Sequence, residues 1–443
     1  MKTCERLRIS GPEWSETLKK KQRVFAEIKR VARGFAVRYL SRRTKIVIKR
    51  LLRWDSQNPT PRAAASELFL RVDHLRKLVD YEKQTPPSTI ASFDPRRLKI
   101  VWIIPDFVPG NGGHMTIFRI ASYLEQFGHE VAFLIQNPSR HLTGREALKT
   151  INEQFQPFNG RVELLGAKLP RLKGDALIAT DRFTCYPVRA MAGFRRKFYF
   201  VQDYETQFYP MGSEALLAEN TYSMGFDCLC AGDWLADMMR KRYGLWAMTW
   251  PLAYDPAVYY HTSQNVARSE NRISFYARFV TPRRAVELGM MALDILSARN
   301  LPFHVDFFGW DLRRLTVGYS HTNHGIVPSR NLGELYRRAA VGVVFSTTNH
   351  SLVNREMMAC GLPVVDFDLE SVRRVFPAGT MRLVKPEPWH IADGLQELLE
   401  NAEQRETLRR AGFAHIKNLS WESSARLVEN ALIERVGQTD EAV

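Results

Sequence analysis

Two arginines five residues apart, Arg278 and Arg283, stand in the segment ARFVTPR (277–283), directly after the apolar run RISFYA at 272–277. Two cations at a strand–helix turn can converge on one diphosphate. Cleaving a nucleotide-sugar leaves negative charge on the departing phosphate, and fixed cations stabilise charge that grows in the transition state. Arg284 is a neighbour that can substitute for either. A second stretch, NHSLVNREMMACGLPVV (349–365), places Glu356 at the start of a short helix that follows a strand. A carboxylate at the carboxyl end of a parallel strand can accept both hydroxyls of a ribose. Ser351 and Asn354 share that stretch and join the donor-side set. The plainer reading of Glu356 is an acid favouring a helix N-terminus.

Two further loops carry polar chemistry. In PGNGGH (109–114), Gly112 and Gly113 let a backbone approach a ligand closely, and free amides at a helix start favour anions. His114 can there hydrogen-bond a sugar hydroxyl or a phosphate. The segment is not GxGxxG, and no acid ends the second strand, which disfavours a dinucleotide. The loop VQDYETQFYPMGSE (201–214) mixes acids with aromatics, as a sugar site does. Asp203 or Glu205 is its candidate base or acceptor anchor, with Tyr204 and Tyr209 as packing faces. Asp366 and Asp368 form a D-x-D pair within VVDFDLE; they are read as lining the donor pocket or capping a helix, not as metal ligands.

These residues require strands to carry them. LKIVWII (98–104) is a continuous apolar run, as a strand buried on both faces demands. Strands are also predicted at 130–135, 175–179, 198–201 and 227–231, with helices at 115–127, 213–224 and 233–243. Alternation of this kind gives a parallel sheet with helices on both faces. TWPLAYDPAVYYH (249–261) interrupts it with two prolines and reads as a hinge. A second series follows: strands at 272–277, 303–308, 341–345 and 363–367, and helices at 282–297, 331–340 and 354–360. Residues 388–436 are helical in pattern and are expected to finish by packing back across the hinge. The fold class is therefore α/β, two Rossmann-like doubly wound domains with a cleft between them. The expected divisions are 1–95 (extension and linker), 96–250 (acceptor domain), 251–425 (nucleotide-sugar domain) and 426–443 (helix end and tail).

The formal charge of +16 is uneven, because residues 17–53 carry 14 Lys and Arg against Glu27 alone. Within 17–54, Val24, Ile28, Val31, Phe35 and Tyr39 share one helical face. Such a helix can lie on an anionic leaflet, dock on its own protein, or bind nucleic acid; recognised nucleic-acid motifs are missing, and the anionic membrane surface is the partner carried forward. QNPTPR (57–62) reads as a linker, 63–83 as a short helix, and QTPPS (84–88) as a break. The five cysteines, Cys4, Cys185, Cys228, Cys230 and Cys360, lack zinc-site spacing and fit a reducing compartment. No run reaches the ~18–20 apolar residues of a spanning helix, and the first residues lack a signal-peptide core. The expected location is the cytoplasm, peripheral on the inner face of the membrane.

The arginine turn and the Glu356 stretch together resemble glycosyltransferase family 4, whose C-terminal domain carries an Arg-x4-Lys pair and an E-x7-E motif. Arg278 matches the arginine, Arg283 stands at the lysine position, and Glu356 matches the second glutamate. Thr348 occupies the first glutamate's position, a departure from the pattern. GGHMTIFRIASYLEQFGHEV (112–131) and FVQDYETQFYPMGSEALLAENTY (200–222) resemble the WsaF-like rhamnosyltransferases of bacterial surface glycan assembly, over roughly residues 97–425. The resemblance implies a GT-B fold, a dTDP-rhamnose donor, retention of anomeric configuration and no metal or other cofactor. It implies a polysaccharide or lipid-linked glycan acceptor. Two other function classes remain open: a catalytically silent scaffold that binds glycan or membrane, and a nucleotide-sugar 2-epimerase.

Overall fold

The computed structural model describes residues 61–79, 93–166, 168–261 and 268–438. The basic segment 17–54, the break at 84–88 and Cys4 lie outside them. The chain divides into two units, Met1–Arg76 and Lys77–Val443. Helix α1, Pro61–Val79, begins on the last proline of the expected linker. A proline is tolerated there because the first turn of a helix has no intrahelical use for its N–H.

The second unit holds two parallel sheets. The first lobe contains β1 (Lys99–Pro105), α2 (Gly112–Gln126), β2 (Glu130–Gln136), α3 (Gly144–Gln154), β3 (Arg161–Leu164), β4 (Gly174–Ala179), α4 (Cys185–Ala190), β5 (Phe194–Val201), α5 (Ser213–Thr221), β6 (Asp227–Ala231), α6 (Asp233–Tyr243) and β7 (Ala247–Trp250). Its sheet order is β3-β2-β1-β4-β5-β6-β7. The second lobe contains β8 (Arg272–Tyr276), α7 (Val286–Ala298), β9 (His304–Phe308), β10 (Ser320–Asn323), α8 (Ser329–Arg338), β11 (Val341–Val343), α9 (Leu352–Ala359), β12 (Val364–Phe367), α10 (Glu370–Arg373) and β13 (Arg382–Val384). Its order is β10-β9-β8-β11-β12-β13. In each sheet the order reverses beside the first strand, between β1 and β4 and between β8 and β11. Ligands of open α/β sheets bind at such switch points, outside the carboxyl ends of the strands. The glycine loop leaves β1 and the arginine turn leaves β8, so both motifs stand where the topology opens a crevice.

The central strands form because, beyond one charged residue near the start of each, they are apolar. All of β4 and β6 and most of β1 are buried, as strands covered on both faces must be. The apolar sequence of β11 lets α9 pack directly on it: a Cβ at Gly342 would come 2.5 Å from Met357 Sδ. That close approach sets where the loop joining them, 344–351, emerges.

Several elements differ from the sequence expectation. α3 and β3 fill the interval 136–174, where the sequence pattern predicts no element; α3 buries only Ala147 and Ile151, and β3 is a four-residue edge strand. Both are too short and too polar to show a clear period. The helix expected at 282–297 begins as a 3-10 turn, Pro282–Arg284, and becomes regular only at Val286, because Ala285 takes the left-handed conformation with φ 40°. The hinge segment opens with edge strand β7. The helical stretch 388–436 is three helices: α11 (Pro388–Glu400), α12 (Ala402–Ile416) and α13 (Trp421–Gly437). Asn401 caps α12 through Gln404 N (2.9 Å) and Ser420 caps α13 through Ser423 N (3.0 Å).

α13 belongs to the core of the first lobe, where Trp421, Ala425, Val428, Leu432 and Val436 are buried. The expected boundary at 425 falls inside this helix. Its polar contacts reach the same lobe. His129 Nδ1 accepts from Leu98 N (3.1 Å), so its Nε2 carries the proton it donates to Glu429 (2.9 Å). Arg435 makes a two-pronged bond to the buried Asp227 at 2.8 and 3.0 Å. Ser424 Oγ donates to the hinge carbonyl of Pro251 (2.6 Å). Cys185, Cys228, Cys230 and Cys360 are all buried thiols.

Candidate functional site

The lobes meet at a joint built from two loops at strand ends. Gln202 and Asp203 follow β5, and Thr348 and Asn349 lie in the loop after β11. Asp203 Oδ2 accepts from Thr348 Oγ1 (3.0 Å), and Oδ1 accepts from Asn349 N (3.0 Å) and from Tyr204 N (2.9 Å). The Asn349 amide group donates to two carbonyls of the first lobe, Gln202 O and Ala231 O, both at 2.9 Å. His350 donates from Nδ1 to the remaining oxygen of Asn349 (2.9 Å). Asn349 is 4% exposed and Thr348 3%. Hydrogen bonds buried to this degree cost their full desolvation penalty when broken.

The arginine turn borders this joint. Arg283 Nε lies 3.3 Å from Asp203 Oδ2, and the guanidinium stacks on Phe208 at 4.3 Å. The Nε hydrogen is buried without a hydrogen-bond acceptor, so the contact is one of charge rather than of direction. Burial pushes the Arg283 guanidinium below its ordinary value; Asp203 opposes that shift and Arg284 adds to it. The Arg283 carbonyl accepts from Thr347 N (3.1 Å), which ties the turn to the loop after β11. Among the described residues, the Arg278 side chain hydrogen-bonds to Thr281 Oγ1 alone (3.3 Å), within its own turn. Arg284 turns inward and donates to Ser346 Oγ (2.8 Å) and Phe345 O (3.2 Å).

On the first lobe, Asn111 caps α2 by accepting from Gly113 N (3.1 Å). A Cβ at Gly113 would lie 3.7 Å from the Gln202 side chain, so the glycine loop faces the joint. His114 Nε2 donates to Pro105 O (3.1 Å), leaving Nδ1 as an acceptor. Burial pushes the ring's pKa down, so it is neutral at pH 7. Tyr204, Glu205 and Tyr209 of the acid-and-aromatic loop turn to partners in the first lobe. Tyr204 hydroxyl bonds Glu219 and Tyr243. Glu205 accepts from Arg182 N (2.9 Å) and Nη1 (3.2 Å), and Arg182 also donates to Tyr209 and stacks on it. Burial and the nearby Asp181 push the Glu205 carboxyl upward.

On the second lobe, Ser351 caps α9 through Val353 N (3.3 Å). Asn354 is fully buried and donates to Asp366 Oδ2 (2.8 Å), whose Oδ1 accepts from Ser346 N (3.0 Å). Asp366 is therefore an interior brace, while Asp368 is surface-side and pairs with Arg373 (2.7 Å). Glu356 is 8% exposed and its pKa is pushed to about 7 by burial, with Arg119 and a hydrogen bond from Tyr259 working against the shift. Arg119, on α2, pairs with the hinge residue Asp255 at 3.4 Å and stacks on Trp421 at 5.2 Å. Glu356 thus faces a buried charge cluster that links α2, the hinge and α9.

The structure gathers Gly113, Asp203 and Arg283 around one joint. It directs Tyr204, Glu205, Tyr209 and Asn354 to partners inside their own lobes. Asn349, Arg119, Asp255 and Tyr259 carry no role in the sequence reading, and Thr348 enters it only as a departure from the E-x7-E pattern. The signal for Asn349 was present: an amide beside a histidine at a strand end, with one donor group able to serve two carbonyls. Nothing in the sequence pairs Arg119 with Asp255, which lie in different elements far apart along the chain.

Residues 270–401 match the family model described as Glycosyl transferases group 1. The O-antigen biosynthesis protein RfbC of Myxococcus xanthus is 30% identical over 367 residues, covering 79% of this chain and 28% of that protein. The chain therefore spans little more than a quarter of the length of that relative. Sucrose-phosphate synthase from Thermosynechococcus elongatus superposes with TM-score 0.59 at 15% identity over 76% of this chain and 98% of that one. HepE from Anabaena, in complex with UDP and glucose, gives 0.58 at 14% identity over 76% and 100%. WaaG, a glycosyltransferase involved in lipopolysaccharide biosynthesis, gives 0.53 at 13% identity over 75% and 99%. At these identities the likeness is one of fold: the two lobes share the two-domain parallel-sheet architecture of these structures.

Proposed function

We propose that this GT-B chain is a glycosyltransferase of group 1 that moves a sugar from a nucleotide-sugar onto a surface glycan under assembly. One observation carries the reading: the turn bearing Arg278 and Arg283 stands at the carboxyl end of the second lobe's first strand, at the topological switch point, and borders the loop of the opposite lobe. The family match over this lobe and the O-antigen relative support the reaction class. In this reading Arg278 and Arg283 neutralise the departing diphosphate, so a metal ion is not needed for that task. Gly112 and Gly113 bring the backbone of α2 to the donor, and Ser351 and Glu356 shape the nucleoside side, while Asn354 braces that wall from behind through Asp366. His114, neutral with Nδ1 as an acceptor, takes a hydrogen bond from an acceptor hydroxyl. The packed joint excludes water and so suppresses hydrolysis of the donor.

The finer reading is dTDP-rhamnose as donor, retention at the anomeric carbon, and a polysaccharide or lipid-linked acceptor. It rests on the resemblance of 112–131 and 200–222. Residues 17–54 would hold the protein to the anionic inner face of the membrane. The test is transfer by the purified full chain, assayed with dTDP-rhamnose and common UDP-sugars on a rhamnosylated oligosaccharide, with anomeric configuration read by NMR. Transfer from a UDP-sugar alone removes the rhamnosyl reading; no transfer from any donor removes the enzymatic one.

A second reading, a donor-binding but silent scaffold, is favoured by Thr348, a hydroxyl where the resembled family has an acid. Donor binding with neither transfer nor hydrolysis selects it. Isomerisation of the donor without an acceptor selects an epimerase instead.

A further inference from the structure

We infer that Asp203 is the positioning residue for Arg283, supplying the counter-charge that the donor's diphosphate replaces as the arginine's partner. The inference rests on the donor-side reading of the arginine turn and specifies how that site is set before the donor arrives.

Three observations carry it. First, Arg283 Nε is buried and 3.3 Å from Asp203 Oδ2, yet its N–H makes no hydrogen bond. The side chain is 30% exposed, and on its covered side Asp203 supplies the counter-charge. Second, Asp203 is itself fixed from the opposite lobe by Thr348 Oγ1 and Asn349 N, both at 3.0 Å. These two bonds hold the carboxylate, so it sets the arginine's place. Third, Phe208 covers the other side of the guanidinium at 4.3 Å, restricting it to one plane. The remaining hydrogen-bonding capacity of Arg283 is therefore held ready for an anion with geometry that the carboxylate does not meet. A diphosphate carries more charge and more acceptor oxygens than one carboxylate, and it wins the exchange.

The inference gives binding changes of opposite sign for two substitutions. Asp203→Asn removes the competing charge but keeps an oxygen for Asn349 N, so a nucleoside diphosphate should bind tighter, by roughly 3- to 10-fold. Turnover should fall in the same variant, because the arginine is no longer held in place. Thr348→Val removes the hydroxyl that shares the Asp203 charge, so the ion pair tightens and binding should weaken by roughly 2- to 5-fold. A residue acting only in folding would weaken binding in both.

The experiment is calorimetric titration of the full chain with UDP and with dTDP at low salt, beside melting curves for each variant. Tighter binding by Asp203→Asn with weaker binding by Thr348→Val supports the inference. Unchanged or weaker binding by a folded Asp203→Asn overturns it while leaving the donor site intact. Should Asp203→Asn not fold, Thr348→Val decides: unchanged or tighter binding overturns the inference. If the wild-type chain binds neither nucleotide, the donor-site reading falls and this inference falls with it.

Discussion

Arg278 and Arg283 leave the same turn and meet different surroundings. Arg283 is fenced by Asp203 and Phe208, whereas among the described residues the Arg278 side chain hydrogen-bonds to Thr281 alone. The freer side chain has no structural task to lose. Arg278→Ala should therefore leave the melting temperature unchanged and cut transfer by roughly 10²-fold or more, measured as kcat/KM. Glu356 makes the opposite case. Burial raises its pKa to about 7 from the ordinary 4.5. The folded protein keeps that proton at pH values where the unfolded chain has lost it. Stability is thus fully present below about pH 4.5 and declines as pH rises toward about 7. Asp366 is shifted to about 7 in the same sense, again by burial first. Glu356→Gln should remove its share, so the fall in melting temperature between pH 5 and pH 8 should be smaller in the variant. An identical fall in both proteins would show that Glu356 is not the buried acid described.

At the scale of elements, the decisive piece is the short loop after β11. Its Asn349 satisfies the carbonyls that end β5 and β6 of the other lobe. Asn349→Ala would orphan both, at ~1–3 kcal/mol each, and should lower stability by about 2 kcal/mol or more in a denaturant titration. A loss below about 0.5 kcal/mol would mean that water replaces the amide without cost. The sequence reveals such elements unevenly. β6 and α6 are legible to the residue, because DCLCA is wholly apolar after its first residue and Gly232 and Gly244 bracket the helix. α3 and β3 are not, since edge elements bury too few side chains to set a period. The break at Ala285 is hidden as well: alanine is a good helix former, and only its place after the Pro282 turn forces φ to 40°. The site was legible in its charges and not in its pairings. Arg283 and Asp203 could each be singled out from their loops, yet their meeting depends on how two sheets face each other, which no local pattern encodes.

For the molecule as a whole, the basic segment and the two lobes should be separable. Deleting residues 1–54 should abolish most binding to anionic liposomes in a flotation assay and spare transfer to a soluble acceptor; undiminished flotation would leave the segment without a membrane role.

The crossing of α13 back to the first lobe has a bearing on how the protein is made. The lobe whose strands emerge first from the ribosome obtains Trp421, Val428, Leu432 and the Arg435 partner of Asp227 only after the whole second lobe has been translated. Vectorial folding, lobe by lobe in order of synthesis, is thus barred, and we expect nascent chains stalled at residue 420 to show protease cuts within 96–250 that chains reaching residue 438 resist. Equal resistance in the two would mean that the early lobe closes its core unaided. Until then its apolar flank is bare, so slow translation of the later lobe lengthens the interval in which chaperones must shield the earlier one.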